Sequence, residues 1–511
     1  MRPRRLAVAL VLAALPASAD DWNTGVGGNA ARSGLSDEAG PAGPVLLWDE
    51  SLPAVVAQQA VTEGNVAVMP RMFDIGDVIG GTDIVAHDLT TGEILWNVQV
   101  PASFGDSWRN RVTAIRGGRV FATRSGNANA EFLYALDAAD GSILWVSDDL
   151  VTETSTESAT FTAAGDVVTS GVFSVICISA ADGSTVWETP RTCPTSGGCD
   201  PIVFGDRVYA WESGGFAGVL VTAFDATTGA RLYSSPIIAG GIVQQIGLLA
   251  GPDGTIYAPR SQNNPATDYF VALEDTGAAF VEKWRFPMGY VPFASCGVGP
   301  DGSVYTYDRD ERLVRLDPAT GLPIGAPALI TSDFYQPRLA IGAAGTVYVT
   351  NGGYSQGRLF AFAPDLSPLF SVPVPNVNVG GPALGENGVL VVCGTGTDVR
   401  AFYTEPPLRL VRFDPGVAGA DNTLRATFAT PLARVHFVAG FQNGAPAIPG
   451  CPGTALGIRA PRLLGAAFAD ASGVATLSFR VPARASGRAV LVQAAELGNC
   501  TVSPVLRHDF P

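Results

Sequence analysis

The chain has 511 residues, of which only 15% are charged and 60 are glycine. This length exceeds one ordinary core, and low charge with abundant glycine favours many short strands and tight turns in a repeat architecture over exposed helices. The formal net charge of −15 argues against nucleic acid and anionic membrane surfaces as partners.

The chain begins with the features of an export signal. Arginines at positions 2, 4 and 5 precede the short apolar run Leu6–Leu15, and the small residues 17–19 form a cleavage site. The run is too short to span a bilayer, and no cysteine follows it that could carry a lipid. We expect residues 1–19 to be a signal peptide that is removed on export to the periplasm or the cell exterior. The remaining chain has 29 basic and 47 acidic residues, a formal charge of −18, and no predicted membrane span.

A short hairpin-turn motif recurs from residue 20 to residue 404. The turns "DLTTG", "DAADG", "SAADG" and "DATTG" begin at Asp88, Asp137, Ser179 and Asp225, and related turns begin at residues 274, 317 and 364. The first six starts lie 42 to 49 residues apart. A period in the forties with four short strands per unit is typical of a β-propeller.

Each repeat places an acidic or polar residue, a glycine and an aromatic residue at fixed offsets. The carboxylate can accept hydrogen bonds from turn amides, and the glycine permits the positive φ that a tight turn needs. We expect the aromatic ring to pack between neighbouring blades, where its burial contributes about 2–3 kcal/mol to stability. The structural motif residues are Asp88, Gly92, Trp96, Asp137, Gly141, Trp145, Gly183, Trp187, Asp225, Gly229, Asp317 and Gly321.

The repeats predict eight blades. Seven turns are present, and an eighth unit with "GENGVLVVCG" and "TDVRAFY" lacks its last strand. The segment "PVLLWDESLP" at residues 44–53, which contains Trp48, can supply that strand. We therefore expect Val45–Glu50 to pair beside residues 400–403, which closes the ring and removes exposed sheet edges.

The repeats "AHDLTTGEILW" and "ALDAADGSILW" resemble the tryptophan-docking motif of propellers with pyrroloquinoline-quinone-like (PQQ-like) repeats. The segment "DDWNTGVGGNAARSG" at residues 20–34 is similar to the opening of the same quinoprotein-like superfamily. The resemblance covers about residues 20–404. It implies the fold, but this repeat occurs in enzymes and in scaffold proteins alike.

For the enzymes of this family, the resemblance implies adjacent cysteines, a Ca²⁺ ion held by carboxylates and an amide, and an aspartate base. The chain has no Cys-Cys pair, and Glu93, Ser142 and Ser184 stand where the family has a basic residue after the turn glycine. We therefore expect no quinone cofactor and no metal.

Residues 405–511 differ in pattern from the repeats. A proline-rich linker at residue 404 is followed by strands such as "TLRATFA", "RVHFVAGF" and "GVATLSFRVP" without the turn motif. About 100 residues of such strands predict an immunoglobulin-like β-sandwich. The segment resembles the small C-terminal sandwich modules of bacterial exported proteins.

Seven cysteines are present in a chain predicted to be exported. Cys193 and Cys199 bracket a short flexible loop, and Cys451 and Cys500 are the only cysteines of the last hundred residues, so we expect two disulfides. The other three, at positions 177, 296 and 393, lie in apolar strand patterns and are expected to be buried. No spacing among the seven resembles a zinc site.

The chain has few candidates for catalysis. Only three histidines exist, and His87 occupies a strand position that is apolar in other repeats, which favours a structural role. No nucleophile elbow or phosphate-binding loop is present. We expect no catalytic residue.

A binding site is predicted instead at the rim of the propeller funnel. The residue that follows the second strand of each blade is polar or charged in five blades, namely Arg124, Glu212, Arg260, Asp308 and Asn351. Such a mixed ring can hold a polar ligand or a protein loop, and Arg124 with Arg260 can hold a carboxylate. The alternative is that these are ordinary solvated loop residues. We expect Arg260 to lie outside the core.

The sequence therefore predicts an exported, non-enzymatic β-propeller that serves as a binding or scaffold protein. Its expected partner is a protein or polysaccharide outside the cytoplasm, bound by a monomer without a lipid anchor. Two alternatives remain: a quinone-dependent dehydrogenase, and a carbohydrate-active enzyme with its site at the funnel.

Overall fold

The computed structural model describes residues 22–51, 55–56, 59–72, 82–103, 109–125, 130–151, 159–192, 196–197, 200–241, 243–244, 246–332, 336–378, 380–394, 398–403 and 408–510. These residues form an all-β structure with three short 3-10 helices, Gly215–Ala217, Glu386–Gly388 and Ala483–Ala485. The chain divides into two compact units, residues 1–404 and residues 405–511, here called the propeller unit and the sandwich unit. Within the described ranges no helix is long and apolar enough to cross a membrane.

The strands of the propeller unit are, in chain order, β1 (Val45–Ser51), β2 (Val55–Val56), β3 (Val61–Glu63), β4 (Val66–Met72), β5 (Thr82–Asp88), β6 (Ile94–Val98), β7 (Arg111–Arg116), β8 (Arg119–Thr123), β9 (Glu131–Asp137), β10 (Ile143–Val151), β11 (Thr160–Phe161), β12 (Val167–Ser170), β13 (Ser174–Ile178), β14 (Thr185–Pro190), β15 (Ser196–Gly197), β16 (Ile202–Phe204), β17 (Arg207–Ser213), β18 (Gly218–Asp225), β19 (Arg231–Ser234), β20 (Ile238–Ala239), β21 (Val243–Gln244), β22 (Leu249–Ala250), β23 (Ile256–Pro259), β24 (Tyr269–Asp275), β25 (Phe280–Pro287), β26 (Gly297–Val298), β27 (Val304–Tyr307), β28 (Leu313–Leu316), β29 (Arg338–Ile341), β30 (Val347–Thr350), β31 (Arg358–Phe362), β32 (Pro368–Pro373), β33 (Gly381–Gly385), β34 (Val389–Cys393) and β35 (Asp398–Tyr403).

Consecutive strands form antiparallel sheets, which we number along the chain. They are sheet 1 (β2–β6), sheet 2 (β7–β10), sheet 3 (β11–β14), sheet 4 (β16–β20), sheet 5 (β22–β25), sheet 6 (β26–β28), sheet 7 (β29–β32) and sheet 8 (β33–β35 with β1). A separate parallel pair joins β15 and β21. The count of eight blades stays a prediction, because sheet 6 has three strands rather than four among the described residues.

The predicted pairing between the two ends of the propeller sequence is confirmed. Strand β1 pairs antiparallel with β35, with Val45 opposite Tyr403 and Ser51 opposite Asp398. Residues 45–51 therefore supply the outer strand that the last repeat lacks.

Burial follows the position of a strand within its sheet. In β8, the second strand of sheet 2, Val120, Phe121 and Ala122 are all buried, because neighbouring sheets cover both faces. In β6, the outer strand of sheet 1, Trp96 is buried while Ile94 is exposed. Continuous apolar runs therefore mark inner strands, and alternation marks outer strands.

The motif tryptophans join five of the sheets to the sheet that follows, as predicted. Each tryptophan ring donates its Nε1–H to a turn carbonyl of the following sheet, in the pairs Trp48–Leu89 (2.9 Å), Trp96–Ala138 (2.9 Å), Trp145–Ala180 (3.1 Å), Trp187–Ala226 (3.0 Å) and Trp284–Pro318 (2.9 Å). The ring also covers the turn glycine. A Cβ on Gly141 would lie 2.7 Å from the Trp96 ring, at a φ of +75°. The turn therefore needs glycine both for its backbone and for this close approach.

A segment that precedes β1 runs along the innermost strands. We call residues 22–36 the inner segment. Its carbonyls accept hydrogen bonds from seven sheets in chain order, in the pairs Trp22–Thr62 (2.9 Å), Asn23–Ile115 (2.8 Å), Ala30–Thr160 Oγ1 (3.1 Å), Ala30–Val203 (2.9 Å), Ala31–Ala250 (2.9 Å), Ser33–Val298 (2.7 Å) and Gly34–Ile341 (2.6 Å). Inner-edge amides that would otherwise lack a partner are thereby satisfied.

The sandwich unit has two antiparallel sheets. Its strands are β36 (Arg409–Asp414), β37 (Asp421–Thr427), β38 (Arg434–Gly440), β39 (Arg462–Phe468), β40 (Ala475–Arg480), β41 (Arg488–Glu496), β42 (Thr501–Val502) and β43 (Leu506–Phe510). One sheet has the order β36-β37-β40, and the other the order β39-β38-β41, with β42 and β43 both pairing with β41. Leu424, Phe437 and Val492 are fully buried among the residues that form its core.

One of the two predicted disulfides is confirmed. Cys451 and Cys500 are bonded, with their Cα atoms 5.3 Å apart. Cys193 and Cys199 lie outside the described residues, so their pairing stays a prediction. Cys177, Cys296 and Cys393 are buried, as expected.

Candidate functional site at the centre of the propeller unit

The predicted rim residues are buried more deeply than the sequence suggested. Arg124 is 8% exposed, Glu212 is 1% exposed, and Arg260 and Asn351 are fully buried. The Asp308 side chain keeps 13% of its exposure. The expectation that Arg260 lies outside the core is therefore wrong.

Neighbouring loops and strands satisfy these side chains. Glu212 forms an ion pair with Arg231 and accepts a hydrogen bond from Thr222 Oγ1 at 2.9 Å. Asn351 donates to the Thr331 carbonyl at 2.6 Å and accepts from the Arg358 amide at 2.9 Å. These contacts fix the ends of β17 and β30.

The two arginines of the predicted rim also donate to main-chain carbonyls. Arg260 Nη2 donates to the carbonyls of Gly240 (2.7 Å) and Gly241 (3.1 Å), and burial lowers the pKa of Arg260 to about 10. Arg124 Nη1 lies 3.4 Å from the Val100 carbonyl. Both guanidiniums therefore tie loops together, and their role in ligand binding stays a prediction.

A different arginine lies unsatisfied among the innermost strands. Arg338 begins β29 and is 3% exposed, and its Nε–H has no acceptor among the described residues. No ion pair or side-chain hydrogen bond links its guanidinium to another described residue. Burial lowers the pKa of Arg338, while the charge of Asp200 acts in the opposite direction.

The surroundings of Arg338 come from several sheets. A Cβ on Gly381 of sheet 8 would lie 2.7 Å from Arg338 Cβ and 3.4 Å from Gln59 Cδ, so glycine leaves room for both side chains. Gln59 donates its amide to the Pro382 carbonyl, and its Oε1 has no donor in the described part of the chain. Polar groups from sheets 1, 7 and 8 therefore meet here, and two of their atoms lack partners.

Asp200, the carboxylate whose charge acts on Arg338, forms its ion pair with another arginine. Asp200, which precedes β16, lies 3.9 Å from Arg32 Nη2 of the inner segment, and both side chains are buried. Arg32 also donates to the carbonyls of Pro201 (2.7 Å) and Val26 (2.6 Å). Asp200 is therefore held by the inner segment rather than by Arg338.

Cys393 lies near two arginines in this region but remains a thiol. Burial raises the pKa of Cys393 to about 12, although Arg71 and Arg338 act in the opposite direction. A thiol with this pKa has almost no nucleophilic thiolate at neutral pH. Cys393 is therefore a packing residue.

His87 has the structural role that its position in the repeat predicted. It is fully buried, stacks on Trp48 at 6.0 Å between ring centroids, and its Nδ1 lies 2.9 Å from the Gly92 carbonyl. Burial lowers the pKa of His87 to about 4. Nδ1–H therefore donates to Gly92, and the neutral Nε2 faces Arg71 Nη1 at 3.4 Å.

This burial makes the stability of the propeller unit pH-dependent. Because the folded pKa lies below the ordinary value of about 6.5, the unfolded chain takes up the proton first, and stability is lost as the pH falls from 6.5 to 4. We expect a loss of about 2–3 kcal/mol in the free energy of unfolding between pH 7.5 and 4.5 from this group. Urea unfolding of the wild type and His87→Leu at the two pH values measures it. Equal pH dependence in the two proteins would contradict the assignment, and His436→Gln, in the sandwich unit, is the control.

The quinone site that the repeat family implies does not fit these residues. The sequence has no adjacent cysteines, and the three buried cysteines are far apart in sequence, in β13, just before β26 and at the end of β34. No group of three or more His, Cys, Asp or Glu side chains within the described ranges could hold a metal ion. The residues at the centre are arginine, glutamine and aspartate instead.

Comparisons with known proteins agree on the fold. A PQQ-type repeat family model, described as outer membrane protein assembly factor BamB, matches residues 41–169 and 131–264. No curated protein sequence matches the chain.

Solved structures of alcohol and methanol dehydrogenases are similar at low identity. The quinohemoprotein alcohol dehydrogenase from Comamonas testosteroni is 14% identical, with a TM-score of 0.56, and the match covers 75% of this chain and 80% of that chain. The quinohemoprotein alcohol dehydrogenase ADHIIG from Pseudomonas putida HK5 is 12% identical, with a TM-score of 0.51 and the same coverage. A europium-containing methanol dehydrogenase is 13% identical, with a TM-score of 0.51 over 73% of this chain and 89% of that chain. At this identity the likeness concerns the fold alone. The docked tryptophans and the family-model match over residues 41–264 support a PQQ-like β-propeller protein.

Proposed function

We propose that the chain is an exported, non-enzymatic binding protein that captures a carboxylate-bearing protein or glycan at the centre of its propeller unit. The observation that carries this proposal is Arg338, a buried guanidinium without a partner among the described residues. The disulfide Cys451–Cys500 supports export, because disulfides persist in oxidising compartments. In this proposal the protein acts as a monomer without a lipid anchor.

The physical argument is the cost of an unpaired buried charge. Removing a charged group from water without a partner costs several kcal/mol, and arginines in protein interiors are normally paired. A carboxylate can accept two parallel hydrogen bonds from one guanidinium, which offsets this cost when the ligand binds. The Oε1 atom of Gln59 nearby can accept a further hydrogen bond from a hydroxyl or amide of the same ligand.

In this proposal the five predicted rim residues position the binding loops. Glu212 and Asn351 hold the chain at the ends of two second strands, and Arg260 holds residues 240–241. Fixed loop ends lower the entropy that a loop loses when it contacts a ligand.

Replacing Arg338 tests the proposal directly. We expect Arg338→Gln to weaken binding of trigalacturonate or a hexaglutamate peptide at least tenfold, because the charge-assisted pair is lost. The melting temperature without ligand should not fall, because an unpaired buried charge is removed. Isothermal titration calorimetry and thermal unfolding measure the two effects, and Arg285→Gln on the exposed outer strand β25 is the matched control.

Two further arms define the ligand class. The methyl ester of trigalacturonate and a hexaglutamine peptide have the same size without the charge, and we expect neither to bind. The proposal fails if both acids do not bind at millimolar concentration, or if Arg338→Gln binds them as the wild type does. Sustained oxidation of alcohols or sugars in the presence of pyrroloquinoline quinone and Ca²⁺ would contradict the non-enzymatic role and favour the dehydrogenase alternative.

A further inference from the structure

The two units differ in charge. Residues 405–511 contain ten arginines and six acidic residues, whereas residues 20–404 contain 19 basic and 41 acidic residues. The sandwich unit is therefore cationic although the whole chain is strongly acidic. A cationic module in such a chain is a candidate site for an anion.

The sandwich unit has an open cleft of about 770 Å³ between its two sheets at one end. This volume lies within the usual range for small-molecule sites, about 300–1,000 Å³. The cleft floor is apolar: Phe413 contacts Phe510 at 5.1 Å and Phe479 at 6.0 Å between ring centroids. Leu464 and Val490 line the side formed by the larger sheet.

Four arginines surround this apolar floor. Arg459, Arg462, Arg484 and Arg488 all line the cleft and are exposed. None of the four forms an ion pair or a side-chain hydrogen bond with a described residue. The side chains are therefore available to a ligand at the mouth of the cleft.

The sheet topology explains why these arginines converge. Strands β39 and β41 both pair antiparallel with β38, with Arg462 opposite Ala439 and Leu491 opposite Gly440. The starts of β39 and β41 therefore flank the end of β38, which brings Arg462 and Arg488 to the same end of the sheet. Arg484 lies in the short 3-10 helix that follows β40 on the other sheet.

We propose that this cleft binds a free amphipathic carboxylate, such as a medium-chain fatty acid. The apolar chain would lie over Phe413, Phe479 and Phe510, and the carboxylate would contact the arginines at the mouth. The argument rests on charge complementarity and on the combination of an apolar floor with a cationic rim. The site lies in the sandwich unit and is independent of the binding proposed at Arg338.

Titration of the full-length protein with decanoate tests the site. We expect one molar equivalent to bind, with an enthalpy measurable by isothermal titration calorimetry. The double variant Arg462→Gln/Arg488→Gln should bind at least tenfold more weakly, and 1-decanol should bind the wild type at least tenfold more weakly than decanoate. Arg434→Gln, at the opposite end of β38 and outside the cleft, should bind like the wild type.

A second variant keeps the test valid if the arginine variants fold poorly. Ala489→Trp should fill the cleft and abolish decanoate binding while the melting temperature stays unchanged. Arg338→Gln should leave decanoate binding intact, which separates this site from the propeller site.

Three results would overturn the proposal. The first is absence of decanoate binding to the wild type, and the second is equal binding of 1-decanol. The third is concentration-dependent dimerisation in sedimentation velocity that the double variant abolishes, because the cleft would then be occupied by a second copy of the chain.

Discussion

Replacing Arg32 by alanine is expected to lower the free energy of unfolding of the propeller unit by about 3–5 kcal/mol, as for other broken buried ion pairs. The side chain is 2% exposed and reaches three carbonyls, those of Val26, Ala159 and Pro201. It also forms the ion pair with the buried Asp200. Alanine therefore removes the partner of a buried carboxylate and the bonds that hold the inner segment.

Tryptophan fluorescence during urea unfolding measures the free energy of unfolding of the propeller unit in the wild type and in Arg32→Ala. All eight tryptophans precede residue 405, so their emission reports on the propeller unit alone. Arg32→Lys keeps the charge but not the planar fork, and we expect it to lose an intermediate amount. A loss below about 1 kcal/mol in Arg32→Ala would mean that the inner segment contributes little to stability.

Replacing Trp96 by alanine is the second large expected effect, about 3–5 kcal/mol, because the change leaves a cavity between sheets 1 and 2. The ring is 8% exposed, covers Gly141, and donates to the Ala138 carbonyl at 2.9 Å. Trp96→Phe keeps most of the buried area and loses the hydrogen bond, so we expect a cost of about 1–2 kcal/mol.

Thermal and urea unfolding of the two variants measure the difference. If alanine and phenylalanine cost the same, the ring itself does not stabilise the contact between the sheets, and the repeat motif would matter only for its turn. Gly141→Ala probes the same contact from the other side, because a Cβ there meets the ring at 2.7 Å.

The fold could be predicted because the motif repeats. Asp88 accepts turn hydrogen bonds, Gly92 permits the positive φ of the turn, and Trp96 packs against the next sheet. The same residue types recur at a regular spacing, and that spacing indicated a propeller. The missing last strand of the final repeat and the unmatched Trp48 predicted the pairing of β1 with β35. The propeller fold and this strand pairing could be inferred from the residues of each turn and the number of residues between turns.

The candidate sites could not be predicted in the same way. The repeat register predicted that Arg260 follows the second strand of its sheet. Its burial depends on how close the loop at residues 240–241 lies, because the Gly240 carbonyl accepts a hydrogen bond from its guanidinium. The sequence does not give the distance between these two parts of the chain. Arg338 begins an apolar strand, and nothing in the residues around it indicates that it lacks a partner. The cleft arginines come from separate strands of the sandwich unit that only the fold brings together.

The bonds of the inner segment could not be predicted from the sequence, since the segment has no repeat and no alternation. Its resemblance to the opening of the PQQ-like family located it, but its main-chain bonds use carbonyls, which every residue has. Arg32 and the positive-φ glycines Gly27, Gly28 and Gly34 give it a fixed irregular backbone.

The inner segment has a consequence for how the propeller unit unfolds. In repeat proteins whose units contact only their neighbours, stability is nearly a sum of local terms, and single units can open at low free energy. Here one stretch of 15 residues bonds to seven sheets, and β1 pairs with a strand about 350 residues later. Opening any one of these seven sheets therefore disturbs a connection that it shares with the other six. The unit should unfold in a single cooperative transition, and a protease should find few partly opened blades to cleave.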